Sequence, residues 1–359
     1  MFSGAIGFSI IWLDGIVTQW VYKKMTSRQR VLAALRGEPV DRAPVCAPTS
    51  VATVAHMDIA AAPFPQANRN PELMARLAAT SYTDLGFDSV MPVFSVVQES
   101  SALGCHIDWG QQDVFPAVRM REPLWRDPAE IRIPPDFLAH PDTRCVIEAI
   151  RTLRKELGDE VAIIGKAMGP CTLSYHCFGL ENFLLLSVDD PDKTSLCLEK
   201  LKEVTVRFGL AQIEAGADVL TIPDHATGDL VSARFYRRFL RDIHAELAER
   251  LPVPIILHIC GKTLDRMDDI AETGVAAFHF DSKNDAFASA EKMNGRIALV
   301  GNVNNPVTLL TKGPSEVRQE VHRALDAGIA LIGPECAIPL QTPAENLREI
   351  PCAVREWTR

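Results

Sequence analysis

Eight short apolar runs, separated by stretches with helical spacing, limit what this chain can fold into. They cover residues 44–47, 89–94, 161–167, 217–223, 254–259, 276–281, 297–303 and 330–334. Several are apolar at every position instead of every second one, the mark of parallel strands buried on both faces. Between them, residues 191–215 have apolar positions at helical spacing and stop at Gly216, 232–250 opens on Ser232, and 315–327 stops at Gly328. Ser and Gly at those places are helix start and stop signals. Eight strand–helix units predict an α/β fold, a (β/α)8 TIM-type barrel. A doubly wound sheet is the other architecture that such alternation allows, but no Gly-rich dinucleotide fingerprint follows the first run. The alternation breaks once, at 95–159. There Trp109-Gly110 and Pro116, Pro123, Pro128, Pro134, Pro135 and Pro141 predict an irregular insertion after the second strand, with a hairpin at 104–110.

Both ends of the composition scale exclude something. Apolar residues at 47% can fill a large core, and a formal net charge of -9 argues against a broad nucleic-acid surface. The nine cysteines contain no CxxC spacing, and a chain of this size needs no disulfide staples, so a reducing cytoplasm is expected. Residues 2–22 are apolar, but Asp14 and Gln19 interrupt them and no basic segment precedes them. A membrane anchor or signal peptide fits that pattern poorly. Met25 then opens MTSRQRVLAALRG, where Thr26 and Gln29 have capping-box spacing. Residues 1–24 are therefore expected to be an extension outside the core, and 25–359 one barrel domain.

Three soft ligands stand where two apolar runs end. His258 and Cys260 close the run PIILHICG, and Cys336 follows the last run in LIGPECAIP. Residues two apart on a strand point the same way, and barrel enzymes collect their reactive groups at the C-terminal strand ends. Singly, each of the three would pass as a core residue; jointly, they predict one zinc site at the barrel mouth. One His and two Cys leave a tetrahedral position open, which separates a catalytic zinc from a structural one. Asp281, at the end of the run 276–281, is the candidate for that position at rest, with second-ligand-shell contact or helix capping as its other readings. A thiol arriving there would lose its proton and become a nucleophile. Asp224, Glu99 and Asn302 also end strands and are the candidate substrate contacts, each with loop structure or capping as the alternative.

These residues sit in a wider pattern. The chain reads MTSRQRVLAALRGEPVDRAPV from Met25, Gln98-Glu99, Ala102-Leu103-Gly104, GPCTL from Gly169 and IEAGADVLTIPD from Ile213. ATGDL at Ala226, HICG at His258, FHFDS at Phe278, GNV at Gly301, GPECAIP at Gly333 and TPAENLREI at Thr342 follow. In these motifs the chain resembles the zinc-dependent methylcobamide:coenzyme M methyltransferases, a branch of the uroporphyrinogen decarboxylase superfamily. The resemblance implies a barrel, zinc on His258, Cys260 and Cys336, and a carboxylate as resting fourth ligand, by position Asp281. It also implies that a separate corrinoid protein presents the methylcobamide, since the chain has no DxHxxG-type cobalamin module. Three departures, Ala337 after the third ligand, Lys262 and the sequence around His225, leave the metal reading intact and bear on the choice of thiol.

The implied reaction moves a methyl group from that corrinoid protein to a thiol such as coenzyme M. Two other readings compete. A porphyrinogen decarboxylase would need cations for its substrate's carboxylates, yet 43–60 contains no arginine. A non-catalytic zinc or corrinoid-handling scaffold would keep the ligands without turnover.

Overall fold

The computed structural model describes residues 24–358, so the expected extension, apart from Lys24, lies outside the described residues. The first helix, Ser27–Leu35, starts with reciprocal capping: Thr26 Oγ1 accepts the Gln29 N–H at 3.2 Å, and Gln29 Oε1 accepts the Thr26 N–H at 3.0 Å. Two of the end donors of the helix are satisfied in this way.

Strand β1 (Ser89–Val90) is followed by a short antiparallel pair, β2 (Ile107–Asp108) with β3 (Ala117–Val118). Then come β4 (Ala162–Lys166), β5 (Val219–Pro223), β6 (Ile255–Ile259), β7 (Ala277–Phe280), β8 (Ala298–Val303) and β9 (Leu331–Pro334). β1 and β4 to β9 form one seven-stranded parallel sheet in which each strand pairs with the next in sequence. Every residue of β4, β6, β7 and β9 is buried. Their apolar runs thus form the core, each Val, Leu or Ile contributing roughly 1.5–3 kcal/mol. The helix Pro191–Ala215, capped by Asp190 and by Gly216 at φ 117°, packs behind β4. Its Gln212 side chain clamps the Lys166 backbone, accepting the N–H and donating to the carbonyl, both at 2.9 Å.

The expected strand 44–47 is shorter than its apolar run. Val45 makes a single parallel bridge to Ile332. Cys46 N–H donates to the Ile332 carbonyl at 2.8 Å, and Asp88 N–H donates to the Val45 carbonyl at 2.7 Å. The segment therefore touches both β9 and the approach to β1. Pro44 and Pro48 have no N–H to extend the ladder, and the Val45 N–H goes to Asp88 Oδ2 at 2.8 Å instead. A Cβ at Gly333 would lie 1.9 Å from the Cys46 carbonyl oxygen, so only glycine permits this approach. Asp88 is fully buried and also accepts from Arg30, Arg42 and Ser27, each at 2.7 Å.

Other boundaries differ in the same way. The run 89–94 yields only Ser89–Val90, because Pro92 ends the pairing. The expected helix 232–250 is two helices, Ala233–Phe239 and Arg241–Arg250, broken at Leu240. Regular structure returns before the end of 95–159: Pro141, harmless in a first turn, opens the helix Pro141–Leu157. All nine cysteines are free thiols. Among the described residues, no helix is long and apolar enough to cross a membrane.

Candidate metal centre

Strand register brings the soft ligands together. Pro223, His258 and His279 are paired neighbours on β5, β6 and β7. Cys260 follows the end of β6 and Cys336 lies just beyond β9. Among the described residues, one group of three or more His, Cys, Asp or Glu side chains is close enough to hold a metal: His258, Cys260 and Cys336. Cys260 Sγ lies 3.3 Å from His258 Nε2, Cys336 Sγ lies 3.4 Å from the same nitrogen, and the sulfurs are 3.7 Å apart. A tetrahedral zinc with normal bond lengths would place two thiolates about 3.8 Å apart, and a thiolate about 3.6 Å from an imidazole nitrogen. The triangle has the edges of such a site, so these residues fit zinc. His258 is buried, while both cysteines are half-buried.

The surroundings prepare each ligand. The His258 Nδ1–H donates to the His279 carbonyl at 3.2 Å, which turns Nε2 toward the sulfurs as an acceptor. Such support fixes tautomer and ring orientation. The His279 ring stands 4.5 Å from that of His258, and its Nε2–H donates to the Pro334 carbonyl at 2.8 Å. Burial holds His279 well below the usual imidazole range, so it stays neutral. Hydrogen bonding from Cys260 and the neighbouring His258 hold the Cys336 thiol well below the usual thiol range, against burial. Cys260 is pushed up by the same partnership and by burial. Buried Glu335, next to Cys336, accepts the Ser282 N–H at 2.7 Å and the Asn305 N–H at 2.9 Å, tying the loops after β7 and β8 to the cysteine.

The remaining predicted residues are placed as follows. Asp281 is outside the three-ligand group: its carboxylate accepts the Gly261 N–H at 2.9 Å, beside Cys260, and the Lys283 N–H at 2.8 Å. Asp224 is buried with both oxygens engaged, one by the Thr172 N–H at 2.8 Å and one by His244 Nε2 at 2.9 Å. Asn302 is half-buried and donates to the Asn284 carbonyl at 3.2 Å. Glu99 is fully buried; one oxygen accepts the Met168 N–H at 2.7 Å and the other has no partner among the described residues. Burial pushes its carboxyl up to about 7.

Two residues were missed by sequence reasoning. His279 hides in FHF, where alternation reads as plain strand. Lys166 hides at the end of an apolar run; it is buried, and its Nζ donates to the Thr49 carbonyl at 2.9 Å. The signal was present in both cases: a polar group at an inward position of a strand otherwise apolar throughout.

Known proteins place this architecture. The chain belongs to the uroporphyrinogen decarboxylase (URO-D) family, whose model matches residues 26–357, and within it to the methylcobamide:CoM methyltransferases. Methylcobamide:CoM methyltransferase MtaA of Methanosarcina barkeri is 34% identical over 336 residues, covering 93% of this chain and 99% of that protein. A methylated-thiol–coenzyme M methyltransferase of Methanosarcina mazei is 30% identical over 335 residues, covering 93% and 90%. The solved structure of a methyltransferase from Methanosarcina mazei superposes with a TM-score of 0.89 at 33% identity, covering 92% of this chain and 98% of that one.

Proposed function

We propose that this chain moves a methyl group from a methylated corrinoid, presented by a separate protein, to a small thiol such as coenzyme M. The observation that carries the reading is the His258–Cys260–Cys336 triangle, whose edges suit zinc with a position to spare. Zinc bound there would supply acidity, so that an incoming thiol persists as a thiolate near neutral pH. The thiolate sulfur forms a bond to the methyl carbon as the carbon–cobalt bond breaks, and the electron pair of that bond stays on cobalt, taking cobalt(III) to cobalt(I). The protein orients the ligands. His258 is aimed by the His279 carbonyl, and the hydrogen bond that the Gly261 N–H donates to Asp281 holds the turn that carries Cys260. Asp281 is the proposed resting fourth ligand; to serve, it would have to give up at least one backbone N–H. Glu99 and Asn302 are the proposed substrate contacts. Asp224 would act through the helix Pro170–Phe178, whose Thr172 N–H it holds.

Residues 25–359 form, in this reading, one (β/α)8 barrel with an insertion after the second strand. The double pairing of Val45, to β9 and to Asp88, supports closure, with 44–47 as the eighth stave. Nine unpaired thiols support a reducing cytoplasm.

The test combines metal analysis with an assay of methylcobalamin loss. The expected result is one zinc per chain and zinc-dependent demethylation with 2-mercaptoethanesulfonate, both lost in Cys260→Ser. Demethylation with no thiol at all, or porphyrinogen decarboxylation by zinc-free protein, refutes the proposal.

A further inference from the structure

Two cysteines that the metal triad does not use touch each other. Cys105 Sγ lies 3.7 Å from Cys177 Sγ and 3.9 Å from the His176 carbonyl. Outside the triad, this is the one thiol–thiol hydrogen-bond contact among the described residues. Sulfurs in a disulfide stand about 2.05 Å apart, so this pair must close by less than 2 Å to be bonded.

The pair sits where the irregular insertion leaves and rejoins the barrel. The helix Gln98–Leu103 ends at Gly104, whose φ of 108° turns the chain outward, and β2 begins two residues past Cys105. Cys177 lies in the last turn of the helix Pro170–Phe178. The chain that leaves at Cys105 to form the β2–β3 hairpin returns at Leu124 and Trp125. Both of their N–H groups donate to the Cys177 carbonyl, at 2.8 and 3.1 Å. Cys177 therefore meets both ends of the excursion, one through its sulfur and one through its carbonyl. Ser100 Oγ and His176 Nδ1, 2.8 Å apart, already join the two helices at this point. The two thiols also differ in access. Cys105 is 9% exposed and stands between exposed Gly104 and His106, whereas Cys177 is fully buried. Burial and the Cys105 thiol push Cys177 well above the usual thiol range, so it stays protonated until its partner has reacted.

We propose that Cys105 and Cys177 are an oxidisable pair: a small organic disulfide converts them to a disulfide bond that staples the base of the insertion to the helix Pro170–Phe178, and excess small thiol reverses it. The Cys105 sulfur attacks the small disulfide, forms a mixed disulfide and releases one small thiol. The Cys177 sulfur then displaces the second small thiol from Cys105. Two protein thiols are oxidised, the sulfur–sulfur bond of the small disulfide takes the two electrons, and the two protons leave on the released thiols. Where the methyl acceptor is itself a small thiol, its own disulfide is an oxidant of this class, and the pair then senses how oxidised the acceptor pool is. That meaning rests on the thiol-acceptor reading above; the cross-link does not.

The test treats zinc-loaded protein, in which the metal shields Cys260 and Cys336, with 2-hydroxyethyl disulfide and maps the digested product by mass spectrometry. The expected product is a Cys105–Cys177 peptide pair about 2 Da lighter than its reduced halves together. Stapling positions 72 residues apart should also raise the urea midpoint by on the order of 1 M. Dithiothreitol should reverse both. Cys177→Ser should trap the mixed disulfide on Cys105, and Cys105→Ser should leave Cys177 unmodified. A mixed disulfide that persists on Cys105 in wild type, a cross-link between other cysteines, or modification confined to half-buried Cys352 overturns the proposal. Cross-linking in a protein that demethylates no methylcobalamin leaves the pair standing and overturns the methyl-transfer reading instead.

Discussion

Replacing Lys166 by methionine should make the folded protein more stable at neutral pH, although it removes a hydrogen bond. Burial pulls the lysine from its ordinary 10.5 to about 7, against the opposing pull of Glu99 and Cys336. When the folded value lies below the unfolded one, the group's contribution is complete above about pH 10.5 and is lost as pH falls toward 7. At 1.36 kcal/mol per pH unit, that loss is on the order of 4 kcal/mol. Methionine fills a similar volume without the charge, but it leaves the Thr49 carbonyl without its donor, a cost of roughly 1–3 kcal/mol. The net gain at pH 7 is about 2 kcal/mol, and it should reverse to a loss near pH 10.5, where the wild-type lysine no longer carries its burial cost. Glu99 runs the other way. Burial raises it from 4.5 to about 7, so its contribution is complete below about pH 4.5 and is lost as pH rises toward 7. Removing the lysine pushes Glu99 up further and trims the gain. Urea unfolding of both zinc-loaded proteins from pH 6 to 10.5 measures the difference curve. A variant less stable than wild type at pH 7, or a difference flat across the range, refutes the reasoning.

Two further substitutions probe the frame around the site. Asp88→Ala should cost about 3–5 kcal/mol in urea unfolding, because it removes one of the two carboxylates that pair buried Arg30, the partner of Arg42 and the acceptor of the buried Val45 N–H. His279→Phe keeps a ring beside His258 but removes the donor to the Pro334 carbonyl, and chelator competition should show zinc binding weakened about 10-fold.

The strands that carry the triad were legible because buried parallel strands need continuous apolar runs, and these are visible without any structure. β6 and β9 fell within a residue or so of their runs, and so Cys260 and Cys336 could be placed at the same end of the sheet. Proline limited the reading elsewhere. Apolar content alone assigned 44–47 and 89–94 as strands, whereas Pro44, Pro48 and Pro92 cannot supply the N–H groups a ladder needs, and only fragments pair. The pairing of Asp281 with the Gly261 N–H was not legible, because it depends on how two turns from different strands approach each other. The same holds for Asp224, whose two partners, Thr172 and His244, come from helices far apart in the sequence.

Lys166 and His279 were hidden for a different reason. In each case an apolar run of the right length satisfied the strand pattern, and one polar residue within it changed nothing in that pattern. The physics makes the exception more informative than the rule. A buried ammonium held by a single carbonyl opposes folding, whereas a neutral histidine that donates to a carbonyl is nearly free of that cost. A chain under selection for stability alone would lose Lys166 to methionine or leucine at little structural expense. It stands two strands from His258, among hydroxyls that have no hydrogen-bond partner among the described residues. Local disagreement between residue and environment then falls where function should place it.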